Sequence, residues 1–340
     1  MQLFEHPENP SPPGAVVEGI RTPDGVTLRV ARWPSAGRNR LGTVCLVQGR
    51  AEFIEKYFET IRDLQERGFE VATLDWRGQG GSDRLIANRH RGHVDGFRDY
   101  ELDLRTFMEL FVFPNCRPPY YLLGHSTGGA VLLRASAWLE GRIRRMVLAA
   151  PFIDFYRLPL PRPWVRAITG GLSYLGLGGF SVPGAGRYDR SSSDFTDPGT
   201  DNVLTSDPAR YGRTFTVLEA EPGLAIAAPT IGWVYAACRS MDLFAEPDFP
   251  PSIRVPTLIV AAGGDRVVST RASEELGLCI RGGGHVTIDG AQHELMMEAD
   301  LYRNQFWAAF DAFIPGDVSA GAAGAAGAYE ADASSARAAS

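Results

Sequence analysis

Gly124-His125-Ser126-Thr127-Gly128 sets a serine between two glycines, each two positions away. A serine hydroxyl can attack a carbonyl carbon once a neighbouring base takes its proton. Tyr120-Tyr121-Leu122-Leu123 before it reads as a short buried strand, and the apolar run from Ala130 to Ala135 after it reads as a helix. A serine at such a joint is a nucleophile elbow. The turn is tight, so bulk at Gly124 or Gly128 would meet neighbouring backbone, and the hydroxyl stands above the sheet edge over a helix N-terminus. The plain alternative is a glycine-rich turn in a chain with 38 glycines.

On a sheet of this kind the order along the chain is nucleophile, acid, base. Of the six histidines, His6 lies in the terminus, His125 belongs to the elbow, and His90 and His93 precede the serine. His285 opens the strand His285–Ile288 at the end remote from the site. His293 follows that strand's C-terminal end, where parallel sheets carry their functional loops, and is the expected base. A surface-loop histidine is its bland reading. The expected acid is Asp265, which leaves the strand Thr257–Ala262 through Gly263-Gly264. A helix N-cap is the competing role for Asp265, and Asp154, after the strand Ile143–Ala149, is the rival acid. The developing oxyanion needs two backbone N–H donors. Thr127 supplies one, and Arg50 supplies the other from Gln48-Gly49-Arg50-Ala51-Glu52, where Gly49 permits a sharp backbone path.

The elements that must hold these residues alternate in type. Val16–Arg21 and Thr27–Trp33 read as a hairpin about Pro23-Asp24-Gly25. Thr43–Val47, Phe69–Leu74, Tyr120–Leu123 and Ile143–Ala149 read as strands, with helices over Phe53–Arg67 and Tyr100–Phe111 between them. The rhythm stops near Pro151 and resumes with Thr257–Ala262, a helix over Arg271–Leu278, the strand His285–Ile288 and a helix over Leu301–Phe313. This predicts an α/β fold with a mostly parallel central sheet covered by helices on both faces. Residues 15–151 and 251–315 form the core, 152–250 an inserted cap, 1–14 an N-terminal extension and 316–340 a disordered Ala/Gly/Ser-rich tail.

Net charge of −6 with no Lys/Arg cluster argues against nucleic acid as a partner. Cys45, Cys116, Cys238 and Cys279 lack metal-ligand spacing and read as reduced structural thiols, with no disulfide framework and no metal site. The N-terminus shows no secretory signal and no stretch is long and apolar enough to span a bilayer, so a cytoplasmic protein is expected.

At this point the motifs resemble a known family, the α/β-hydrolases of the lysophospholipase and monoacylglycerol lipase group, which are grouped with the serine aminopeptidases. The likeness runs from about Val16 to Phe313. The family's His-Gly-x-x-Glu-His-x-x-Arg-Tyr is matched by Gln48-Gly49-Arg50-Ala51-Glu52-Phe53-Ile54-Glu55-Lys56-Tyr57, with Gln48 and Phe53 in place of the two histidines. Asp75-Trp76-Arg77-Gly78-Gln79-Gly80-Gly81-Ser82, the elbow, Asp265-Arg266 and Gly290-Ala291-Gln292-His293-Glu294 follow the family's pattern in order. Segments such as Asn202–Tyr211 and Pro229–Trp233 are similar to the bacterial lysophospholipase subset. The resemblance implies the triad Ser126, Asp265 and His293, an oxyanion hole at Arg50 and Thr127, and a cap over an acyl pocket. Gln48 leaves the backbone donors in place, while the hydrogen bonds supporting that loop must differ.

The expected reaction is hydrolysis of a single-chain acyl ester or lysolipid, with no cofactor. The apolar stretch Trp164–Phe180 reads either as the lining of an acyl tunnel, as an element pressed on the inner membrane face, or as the cap's own small core. Two other readings stand beside it. One is an aminopeptidase or amidase, with Glu219 and Glu221 as candidate partners for a substrate amine; the other is a non-catalytic binding protein of the same fold.

Overall fold

The computed structural model describes residues 1–37, 40–183 and 202–314. The tail expected over 316–340, and part of the expected cap segment, lie outside these residues.

Among the described residues, eight strands form one open sheet: β1 (Val16–Arg21), β2 (Thr27–Trp33), β3 (Thr43–Val47), β4 (Glu70–Leu74), β5 (Tyr120–His125), β6 (Arg145–Ala149), β7 (Thr257–Ala262) and β8 (Gly284–Ile288). Their spatial order is β1-β2-β4-β3-β5-β6-β7-β8. Only β2 runs against its neighbours; every pairing from β4 to β8 is parallel. The reason is legible in the residues. Every residue of β3 and of β7 is buried, as expected of apolar strands covered on both faces, while the edge strands β1 and β8 expose part of theirs. Helices therefore cover both faces. Phe58–Glu66 and Asp300–Phe313 are tied by Arg67–Asp311 at 2.8 Å and by Arg303–Asp63.

Parallel register brings the C-terminal ends of the strands to one edge. Val47 pairs with Gly124, His125 with Ala149, and Ala262 with Ile288. The loops after β3, β5, β7 and β8 consequently open side by side.

Between β6 and β7 lie the helices Arg162–Leu172, Pro208–Ala220 and Ile231–Phe244, where sequence periodicity showed no clear rhythm. Pro208–Ala220 starts on a well-formed cap, Asp207 accepting from the N–H groups of Ala209 and Arg210. Ile231–Phe244 is buried along most of its length and joins the main core through Trp233, Ala237, Cys238 and Met241. A second cluster, around Tyr211, Phe215, Leu218 and Leu224, takes in Phe53. That explains the Phe53 departure: the side chain at this motif position packs into an apolar cluster with the inserted segment. Cys45, Cys116 and Cys238 are buried, whereas Cys279 is exposed, so the structural-thiol reading fails for that residue.

Candidate active site

β5 ends in a strained turn. Ser126 holds φ 49° and ψ −116°, a conformation that L-residues adopt only under constraint. The constraint comes from both sides: Ser126 N–H donates to Ala149 O, while its carbonyl accepts from Phe152 and Ala130. The glycines answer to close approach. A Cβ on Gly128 would lie 2.5 Å from Val47 O and 2.6 Å from Gln48 O; one on Gly124 would lie 2.7 Å from Leu132 Cδ1.

The loops after β7 and β8 bring Asp265 and His293 to this serine. His293 Nε2 lies 3.1 Å from Ser126 Oγ, and His293 Nδ1 lies 2.7 Å from Asp265 Oδ2. All three residues are buried. With Nδ1–H assigned to Asp265, Nε2 is left as the acceptor facing the hydroxyl. The other carboxylate oxygen of Asp265 accepts from Val267 and Val268 N–H at 2.8 and 2.9 Å. Turn capping and an inward-facing carboxylate are thus both present in one side chain. Asp154 is elsewhere, paired with Arg162 at 2.7 Å. His93 is also occupied away from Ser126, with Nδ1 2.8 Å from Thr230 Oγ1.

The loop after β3 lies against the helix Thr127–Arg134, whose Gly128 touches the Val47 and Gln48 carbonyls. Among the described residues, neither the Arg50 nor the Thr127 N–H is taken up by another group. Gln48 replaces the expected histidine with an amide that donates to Leu74 O at 2.6 Å and Asp75 Oδ1 at 2.9 Å. It ties β3 to the end of β4, where Asp75 also accepts from Arg29 and from the N–H groups of Ile54 and Gly81.

Beneath the site is a buried charge cluster that sequence reasoning missed. The Glu52 carboxylate accepts from Gly49 N–H, Tyr57 Oη at 2.6 Å, Lys56 Nζ at 2.8 Å and His125 Nδ1 at 3.2 Å. Lys56 also reaches Glu294 at 2.6 Å. Gln79 Nε2 donates to the carbonyls of Gly49 and Glu52, pinning the same loop from below. His125 Nε2 faces the carbonyl of His293 at 3.3 Å. Both neighbours of the ring are acceptors, so the form that satisfies both is the imidazolium. Burial opposes that charge, yet the Glu52 carboxylate, by its field and hydrogen bond, raises the His125 pKa. Burial likewise opposes charge on Glu52, and Lys56 and His125 together hold its carboxyl well below the usual range. The signal was in the motifs themselves: Glu52, Lys56, Tyr57 and Glu294 all belong to matched segments, but sequence gave no means of pairing them.

Ser126 opens into a cavity of about 670 Å³. Phe152, Phe155, Phe215, Leu218, Ile226 and Trp233 supply much of its wall; Arg50, Glu52, Lys56 and Glu294 bring charge to it, and His293 and His125 also line it. Glu219 and Glu221 are exposed and do not line it, which removes them as partners for a substrate amine. Among the described residues no cluster of His, Cys, Asp or Glu is arranged to hold a metal ion.

An open, mostly parallel sheet with a serine at the strand–helix joint, and an aspartate and a histidine on the loops after the last two strands, defines the α/β-hydrolase class. The fold agrees with that of a soluble variant of monoglyceride lipase from Saccharomyces cerevisiae solved with a substrate analogue, at a TM-score of 0.69 and 18% identity over 92% of this chain and 99% of that one. A thermostable carboxyl esterase from Bacillus coagulans superposes equally well, TM-score 0.69 at 17% identity, covering 88% of this chain and 99% of that one. Within the class, the chain belongs to the serine aminopeptidase S33 family, whose model matches residues 38–300. Lysophospholipase L2 of Escherichia coli K12 is 31% identical over 292 residues, 83% of this chain and 82% of that protein. A probable lysophospholipase L2 of Haemophilus influenzae is 28% identical over 271 residues, 79% and 82% of the two chains.

Proposed function

We propose that this chain is a serine hydrolase that cleaves carboxylic esters of single-chain acyl lipids through an acyl-enzyme. The observation that carries the reading is the Ser126–His293–Asp265 relay opening into a cavity walled largely by aromatic and aliphatic side chains. Ser126 Oγ attacks the ester carbonyl as His293 Nε2 takes its proton, and Asp265 orients and stabilises the imidazolium that forms. The Arg50 and Thr127 N–H groups receive the oxyanion. His293 then gives its proton to the leaving alkoxide and activates water for deacylation. The names of the bacterial relatives support a lysophospholipid as substrate and that of the yeast structure a monoacylglycerol.

The described residues of the inserted segment, 152–183 and 202–250, act as the cap that encloses the acyl chain. The helix Arg162–Leu172 buries only Thr169, and Trp164, Tyr174 and Leu175 are 65%, 93% and 72% exposed. We assign this outward apolar face to a lipid surface from which the substrate is drawn, placing the enzyme at the inner face of the membrane. Among the described residues no helix is long and apolar enough to cross a membrane.

An aminopeptidase needs an unpaired carboxylate for the substrate amine, and among the described residues the two that line the cavity, Glu52 and Glu294, are both held by Lys56. A non-catalytic role fits poorly with a complete hydrogen-bonded relay. The deciding experiment compares acyl esters of increasing chain length, lysophospholipid, monoacylglycerol and aminoacyl amides on wild type and Ser126→Ala. Ester cleavage should fall by about 10⁴-fold or more in the variant. Full ester activity in Ser126→Ala, or faster cleavage of aminoacyl amides than of any ester, overturns the reading.

A further inference from the structure

Arg50 is the cavity's one uncompensated cation among the described residues. Lys56, the other permanent cation there, lies between two carboxylates, at 2.8 Å from Glu52 and 2.6 Å from Glu294. The Arg50 guanidinium has instead one carbonyl, Ala227 O at 2.5 Å from Nη2, and one aromatic face, with Cζ 5.3 Å from the Trp233 ring centre. Its Nε is buried without an acceptor. Burial lowers its pKa to about 10, and no carboxylate offsets this. A guanidinium carries five N–H donors in a planar fork suited to phosphate, and the described residues use few of them. Taking such a group out of water without a counter-ion is unfavourable, and an anion arriving with the substrate relieves that deficit.

Trp233, against which the guanidinium rests, is itself fixed: its Nε1 lies 3.2 Å from Tyr100 Oη and its ring stacks on Phe152. The guanidinium therefore has a defined seat between the loop after β3 and the segment that carries Ala227. In the ester-hydrolase reading the backbone N–H of the same residue receives the oxyanion. From that N–H to the guanidinium carbon is about six bonds, and about six bonds also separate the ester carbonyl carbon of a lysoglycerophospholipid from its phosphorus. Main chain and side chain of one residue can thus meet the two polar ends of one substrate.

We propose that Arg50 is the specificity-determining residue that binds the headgroup phosphate of a lysoglycerophospholipid, making phosphate-bearing single-chain esters better substrates than neutral monoacylglycerols. This rests on the ester-hydrolase reading of Ser126 and goes further by choosing between its two substrate classes.

The test measures kcat/KM for lysophosphatidate, lysophosphatidylcholine and monoacylglycerol carrying the same short acyl chain, each soluble as a monomer. Wild type should favour both phosphate esters over the neutral one. In Arg50→Met the ratio of either phosphate ester to monoacylglycerol should drop by about 10- to 100-fold, the usual range for loss of a charged hydrogen bond, and Arg50→Lys should restore part of it. sn-Glycerol 3-phosphate should inhibit wild type competitively and lose that effect in Arg50→Met. An equal fall for all three esters with the ratio unmoved makes Arg50 a strut between the β3 loop and the Ala227 segment, and overturns the proposal. A fall confined to lysophosphatidylcholine assigns recognition to choline and overturns it too. Failure of the underlying reading looks different: wild type then cleaves none of the esters, or Ser126→Ala cleaves all of them.

Discussion

The two sides of Ser126 are built by opposite means. Below it, Glu52, Lys56, Glu294 and His125 form a buried set in which each charge faces an opposite charge, and the Gly49 loop is sewn to it by Glu52 and Gln79. Above it, the cavity wall is Phe152, Phe215, Leu218, Ile226 and Trp233, and Arg50 is left with a carbonyl and a ring. Directional bonds fix an atom to a few tenths of an ångström, as attack and oxyanion binding require. Apolar contact fixes volume far more than orientation, and suits a variable acyl chain. The lesson is that reactivity should be brittle to changes below the serine, while changes above it should alter which substrate is used.

Asp265→Asn and Asp154→Asn give the largest contrast. The first presents an amide to His293 Nδ1 and favours the wrong tautomer, so turnover should fall by roughly 10³- to 10⁴-fold. The second breaks a pairing with Arg162 at the surface and should stay within about twofold. Equal activities in the two variants would break the relay as drawn.

Glu52→Gln should come next. One amide oxygen cannot accept from Gly49, Tyr57, Lys56 and His125 together, and the amide NH₂ faces donors. We expect about 10²-fold lower turnover from a loosened oxyanion loop, with stability lower by about 3 kcal/mol. Steady-state kinetics and denaturant unfolding read the two effects, and wild-type turnover in this variant would detach the cluster from reactivity.

His125→Gln probes the same cluster through pH. A pKa raised in the folded state contributes stability that is fully present below the unfolded value, about 6.5, and is lost as pH rises through the raised value. The Tm difference between wild type and His125→Gln should therefore be widest near pH 6 and narrow as the solution is made alkaline. A gap that widens with pH would mean that the ring is neutral. The smallest effect on chemistry is expected at Trp164→Asp. Hydrolysis of a short soluble ester should be unchanged, while flotation with anionic vesicles should be lost. Undiminished flotation removes the lipid surface as the partner of this face.

Much of the frame was legible because strand periodicity and turn chemistry are local. The pattern of Thr43–Val47 and of Thr257–Ala262 gave strands with those bounds, and the elbow glycines announced two close contacts, at Val47 O and Leu132. The helices of 152–250 were not legible. Ile231–Phe244 is apolar nearly all round because it is buried nearly all round, so it carries no amphipathic stripe. The charge cluster was hidden for a different reason: Lys56 and Glu294 are 238 positions apart, and no local rule pairs them.

By itself the sequence singled out a serine, an acid and a histidine for one site and the order in which their loops arrive, because in a parallel sheet every loop after a strand opens at the same edge. Only the tertiary structure decided the balance of charge around them. Whether a buried lysine is neutralised, a histidine is doubly protonated or an arginine is left for the substrate depends on which side chains the fold brings within hydrogen-bond reach. Between segments hundreds of residues apart, packing alone sets that distance.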